Sequence, residues 1–301
     1  MMSKPQAQPV SGFPSRSLKR SPTSPRTLFG IVMTALTFLC AVLAILPLVA
    51  VLSYVIIQGI SQLNASAFTE LPPPPLVPGG GFGNAILGTL IMVGIAALIS
   101  IPFGIMAAIY LSEFSNTGKF SYWIRFATNV LSGVPSIIVG VFAYAAVVLT
   151  MGTYSAWAGG FALSILMLPI VIRATEEALR LVPQEIRQAS VGLGATNFQT
   201  VSRVILPAAL PAIVTGTTLA VARAAGETAP LLFTSLFTQY WPNWNNQLKE
   251  PTASLAVLVY NFATSPFKNQ QEFAWAASFI LVLLVLITSM ISRLATARRV
   301  Y

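Results

Sequence analysis

The sequence has no histidine and no aspartate, and its single cysteine, Cys40, stands inside an apolar run. The first two absences remove most metal-ligand sets and the usual nucleophile–base pairs, so neither a metal nor a cofactor is implied. A lone cysteine excludes a disulfide framework. Charge is scarce too: only 8% of the 301 residues are charged, and all 8 acidic residues are glutamates. A soluble domain carries about a quarter charged residues, so this chain is solvated mainly by lipid.

Hydrocarbon takes the place of charge. Hydrophobic residues make up 55% of the chain, in repeated runs of around 20 residues, each enough to cross about 30 Å of bilayer core. Ten-residue segments of alternating polarity are missing, which leaves helices as the spanning element. The expected fold class is therefore an all-α polytopic membrane protein. The net charge of +9 invites a nucleic-acid reading, but its placement argues otherwise. Lys4, Arg16, Lys19, Arg20 and Arg26 precede the first apolar run, and Arg293, Arg298 and Arg299 close the chain. Basic flanks of this kind put both termini in the cytoplasm and make the number of spans even.

Taken in order, residues 1–26 are Pro/Ser-rich and basic and read as a disordered cytoplasmic tail. Residues 27–60 form the first span, too long for a signal-peptide core. Residues 61–83 make an outer loop containing PPPP and GGGFG; no GK[ST] follows the glycines, so they read as a flexible linker. A core region, 84–298, holds five further spans at about 84–111, 122–150, 158–172, 208–233 and 273–294. Pro169 predicts a kink in the fourth of these six spans. Tyr240, Trp241 and Trp244 read as interfacial anchors, and 251–262 as an amphipathic helix on the outer surface. Of the 17 basic residues, only Lys249 and Lys268 fall in outer segments.

The segment 176–207 is polar, punctuated by caps, and lies on the inner side. Pro183 suits a first helical position, Glu185 complements the dipole, and Gly194 is a left-handed stop. Ile186, Ala189 and Leu193 share one apolar face. Thr196 with Gln199 forms a capping box for a second helix, whose stripe is Phe198, Val201 and Ile205 until Pro207 ends it. A DNA-reading helix pair is a poor alternative, since both ends are tethered to spans. The spacing describes a rigid knob for a cytoplasmic partner.

Two charges lie deep in the fifth span. Arg223 sits about 18 Å along its helix from Pro211, and Glu227 follows one turn later. An arginine at the bilayer centre costs about 2.5–3.5 kcal/mol on insertion scales, so it faces a partner, a cavity or a substrate. Either the two neutralise each other and pin helices together, or Arg223 attracts an anion while Glu227 forms a breakable gate pair with it. A guanidinium fork suits a tetrahedral oxyanion. Ala212, Gly216 and Ala220 share the stripe and allow close helix approach or line a narrow path. Arg173 and Glu176, a turn apart near the inner end of the fourth span, are candidates for an inner gate or for the anion path. Glu177 and Arg180 read as solvated helix-end charges.

Gln188-Ala189-Ser190, three residues, Gly194, nine residues and Val204-Ile205-Leu206-Pro207 resemble the EAA loop of ABC importer permeases, with Gln for Glu and Ser for the second Ala. Residues 84–113, 169–183 and 218–234, the last including GETAPLLFT, resemble the PstA family of phosphate-importer membrane subunits. The resemblance implies the type I ABC-importer permease fold with six transmembrane helices and a place in the bacterial cytoplasmic (inner) membrane. It implies an ATPase dimer (PstB-like) held through Glu185, Gln188, Ala189, Ser190, Gly194, Leu206 and Pro207. A related permease subunit (PstC-like), an extracytoplasmic phosphate-binding protein (PstS-like) and inorganic phosphate complete the implied partners. No Walker A sequence occurs in the chain, so ATP hydrolysis would belong to another subunit. Rival readings are a permease for sulfate, molybdate or phosphonate, an ion-coupled secondary transporter, and a membrane-anchored sensor or scaffold.

Overall fold

The computed structural model describes residues 25–77, 79–114 and 118–297; the tail expected at 1–26 therefore lies almost wholly outside the described residues, as do Arg298 and Arg299. Among the described residues there is no strand. Five helices are long and apolar enough to cross a membrane, and a sixth span results if one bent pair is counted together, in keeping with the even count.

Contacts divide the chain at Tyr54. The described part before it belongs to one apolar helix, α1 (Pro25–Ile60), which contains Pro47. The unit from Val55 onward holds α2 (Gly83–Phe114), α3 (Lys119–Gly133) and α4 (Ser136–Met151). It continues with α5 (Ala156–Arg180), α6 (Gln184–Gly192) and α7 (Asn197–Ala225). The short α8 (Ala229–Thr234), α9 (Leu255–Ala263) and α10 (Lys268–Ala297) follow, and a single helical turn, Ser66–Thr69, precedes α2.

The centre is α2 and α5 with α7 against them: Met92, Ile95, Leu163, Met167, Val171, Ala220 and Ala224 form one buried cluster. Lipid is as apolar as leucine, so association between spans rests on close packing and small residues rather than on escape from water. Gly216 shows how: a Cβ there would overlap the Cβ of Ala174. Ala220 is fully buried as well, so Gly216 and Ala220 serve close approach to α5, whereas Ala212 of the same stripe is exposed.

Several elements differ from expectation. The third span, expected as continuous over 122–150, breaks between α3 and α4, whose axes meet at 107°. Val134 and Pro135 are both extended, at ψ 129° and 136°; proline lacks an N–H and pushes its predecessor out of the helical region. Conversely, Pro207 does not end the knob's second helix. A π turn over Val201–Ile205 leads into Leu206–Ala225, with the proline in the first turn of that stretch, where its missing N–H is tolerated. The fifth span stops at Ala225, and α8 is a separate turn of helix. The fourth runs on through Pro169 to Arg180, and the sixth begins at Lys268.

Between α8 and α10, α9 is not a surface helix. Leu255, Ala256, Val257, Leu258 and Phe262 are buried, most of them packed with Phe273, Ala276 and Ala277 of α10, and Tyr260 is left on the exposed side. Thr89 of α2 accepts a hydrogen bond from the Leu255 N–H at 2.8 Å. The glycine run is no open linker either: Gly81 and Phe82 donate to the carbonyls of Leu71 and Ala67, each at 2.9 Å, and Phe82 is fully buried. Asn84 holds the 238–240 loop through the carbonyls of Thr238 and Tyr240.

Candidate functional site

A cavity of about 560 Å³ opens where the α3–α4 break meets α5 and the end of α7. Its walls include Arg173, Glu177, Arg223 and Glu227, with Ser132 and Ser136 on either side of the break. Non-helical backbone at membrane depth is tolerated where it borders such a space, and Val134 and Pro135 do line it.

Arg223 lies in the last turn of α7, which Gly226 terminates. Glu227 directly follows the cap residue Gly226, its N–H bonded to the Ala224 carbonyl at 3.2 Å. Arg223 Nε and Glu227 Oε1 are 3.7 Å apart, with side-chain exposures of 69% and 19%. That is an ion pair without a hydrogen bond, so the guanidinium keeps its donors free toward the cavity.

Arg173 and Glu176 do not pair with each other. Arg173 Nη2 donates to Asn129 Oδ1 at 2.8 Å. Glu176 is held by Arg125 of α3 and by Arg180 at 2.6 Å, and its side chain is 12% exposed. Arg125 also donates to the Leu111 carbonyl at 3.1 Å. Glu176 is thereby drawn into a smaller adjoining cavity of about 150 Å³, whereas Glu177, expected as a solvated end charge, faces the large one. Arg125, Asn129, Ser132 and Ser136 had not stood out in the sequence. The available signal was Arg125 and Asn129 four residues apart on a helix that presents Phe120, Tyr122, Trp123 and Phe126 on its exposed side.

The knob has the expected caps. Gly194 is left-handed at φ +86°, and Thr196 and Gln199 form both bonds of a capping box. Pro183 is the N-cap rather than the first helical residue. Ser190 is buried and hydrogen-bonded to Thr200 at 2.9 Å, joining α6 to α7. Glu185, Gln188 and Ala189 are exposed, Leu206 is half-buried and Pro207 is exposed. Ile186, Leu193 and Phe198, which patterning marked as apolar faces, are 42%, 90% and 70% exposed. Their apolar surface is thus turned outward, while Val201 and Ile205 pack inward with Leu179 and Ile213.

These parts support one kind of chemistry, the reversible holding of an anion. One cavity offers two guanidinium groups and two serine hydroxyls to an anion, balanced by two carboxylates, with no nucleophile–base pair. Among the described residues no group of three or more metal-ligating side chains comes together.

Residues 100–300 match the family model described as "Binding-protein-dependent transport system inner membrane component". The chain is 42% identical over 252 residues to the phosphate transport system permease protein PstA of Yersinia pestis, covering 84% of each protein. It is 38% identical over 301 residues to phosphate transport system permease protein PstA 1 of Mycobacterium tuberculosis H37Rv, covering 97% of this chain and 95% of that one. Its fold is similar to an inward-facing structure of the MetNI methionine ABC transporter, with a TM-score of 0.58, 20% identity, and 72% of this chain and 94% of that chain covered.

Proposed function

The chain belongs to the family of binding-protein-dependent transport system inner membrane components, and within it to the PstA-type phosphate transport system permeases; from that membership we propose that it is the membrane-spanning permease subunit of an ATP-driven importer of inorganic phosphate. Both termini lie in the cytoplasm, supported by the basic flanks of the chain. A second, related permease (PstC-like) completes the path, an extracytoplasmic binding protein (PstS-like) delivers phosphate, and an ATPase dimer (PstB-like) docks on the outward-turned apolar residues of the knob.

The observation that carries the reading is that Arg173 and Arg223, from two different spans, face one cavity beside a helix break. Arg223, with its guanidinium donors unspent, supplies the electrostatic attraction for the anion. Glu227, close but not hydrogen-bonded, is the competing partner that lets the anion leave. Glu176, tied to Arg125 and Arg180, contributes by leaving Arg173 to the cavity. Selectivity of such a path comes from donors and field rather than covalent chemistry.

Uptake of radiolabelled phosphate into cells carrying Arg223→Gln tests this, with assembly checked by co-purification of the ATPase. Loss of a charged hydrogen-bond donor is worth about 1.5–3 kcal/mol, so uptake should fall by about 10- to 140-fold with assembly intact. Normal uptake would leave Arg223 as a helix contact only. Competition by excess sulfate in the same assay separates phosphate from the other oxyanions.

A further inference from the structure

Arg187 of α6 is the second arginine whose partners come from several elements. Its Nη1 is paired with Glu113 Oε2, at the end of α2. Its Nη2 donates to the Leu179 carbonyl at 2.7 Å, and its Nε reaches the Val182 carbonyl at 3.5 Å. Leu179 is in the last turn of α5, and Val182 follows the cap residue Leu181 of that helix. The side chains of Arg187 and Glu113 are only 18% and 6% exposed. Ser112 donates a further bond to Glu113 at 2.9 Å, fixing the carboxylate. Glu113 itself belongs to the π turn Tyr110–Phe114 that ends α2, a segment whose hydrogen-bond pattern differs from the helix above it.

The rest of α6 is weakly attached. Its apolar residues Ile186 and Val191 are exposed, and a cavity of about 540 Å³ lies between it and the start of α7. The buried Ser190–Thr200 bond ties it to α7, and Arg187 ties it to α5 and α2. A planar guanidinium with several directed donors holds three acceptors in fixed relation, which an ammonium group cannot do.

We propose that Arg187 is the positioning residue that transmits movement of α6 into the second span, through its ion pair with Glu113, while its carbonyl bonds carry the same movement to α5. The inference rests on the reading that an ATPase docks on α6. It adds a direct route from α6 to α2, which the chain's connectivity does not supply, since α6 is joined in sequence only to α5 and α7.

The test uses the assembled complex with its partner permease and ATPase in proteoliposomes, with Cys40→Ser removing the native thiol and Ser132→Cys placing a reporter in the cavity. The readout is the rate of thiol labelling with and without ATP. With Arg187 intact, ATP should change that rate by at least about fivefold. In Arg187→Gln and in Glu113→Gln the change should shrink below about twofold while ATP hydrolysis continues. An undiminished response in either glutamine variant overturns the proposal. Should both fail to assemble, Arg187→Lys decides: it keeps a charge opposite Glu113 but gives up the fork. A weakened response in the assembled lysine variant supports the proposal, and a full one overturns it. Labelling does not depend on phosphate. An unsubstituted complex that took up no phosphate would therefore sink the import reading while leaving this test intact.

Discussion

Replacing Arg125 by glutamine would leave Glu176 with Arg180 as its one remaining cationic partner. A lost charged hydrogen bond costs about 1.5–3 kcal/mol, and most of Glu176 is shielded from water. The purified subunit should accordingly unfold at lower temperature, measured by differential scanning fluorimetry in detergent. Glu176→Gln in the same background should recover part of that loss, because the uncompensated charge is gone. Gly216→Leu would force a side chain onto Ala174; overpacking of this kind costs about 1–3 kcal/mol, read in the same assay. Arg223 and Glu227 were legible from sequence, since a charge inside an apolar run demands a reason. The Arg173–Glu176 relation was not. Helical spacing says which residues share a face of one helix, but not that Arg125 and Asn129 of a neighbouring helix compete for both.

At the scale of elements, the knob was the most legible part, because caps are local chemistry. Thr196→Ala removes the N-cap acceptor and should destabilise the start of α7 by about 1 kcal/mol, seen as faster amide exchange over 197–200. Leu193→Asp should leave the fold unchanged, since Leu193 is 90% exposed, but should reduce co-purification of the ATPase by about tenfold or more, as a buried interface charge does. The α3–α4 break was less legible. Pro102, Pro169 and Pro211 all lie inside helices, whereas Pro135 separates two. Proline alone does not distinguish these cases; what does is whether the freed backbone borders a cavity, and that depends on helices distant in sequence. The burial of α9 was hidden for a similar reason, as its partners are the Phe82 segment and α10.

For the molecule as a whole, the number of spans and the fold class followed from composition and run length, and the likeness to relatives extends over most of the chain. A permease that takes its energy from a docked ATPase should lose phosphate uptake to background when that ATPase is deleted. A proton gradient across the membrane should not replace it; uptake driven by the gradient alone would favour a secondary transporter. The continuity of α7 gives this dependence a mechanical form. From Thr200, bonded to α6, to Arg223 at the cavity is 23 residues, or about 35 Å of helix, so a tilt of about 5° at one end displaces the other by about 3 Å. Arg223 and Glu227 both ride on that end, so the arc moves the pair as a unit relative to Arg173 across the cavity. A lever of that length turns a short stroke at the knob into a change in the space between the two arginines.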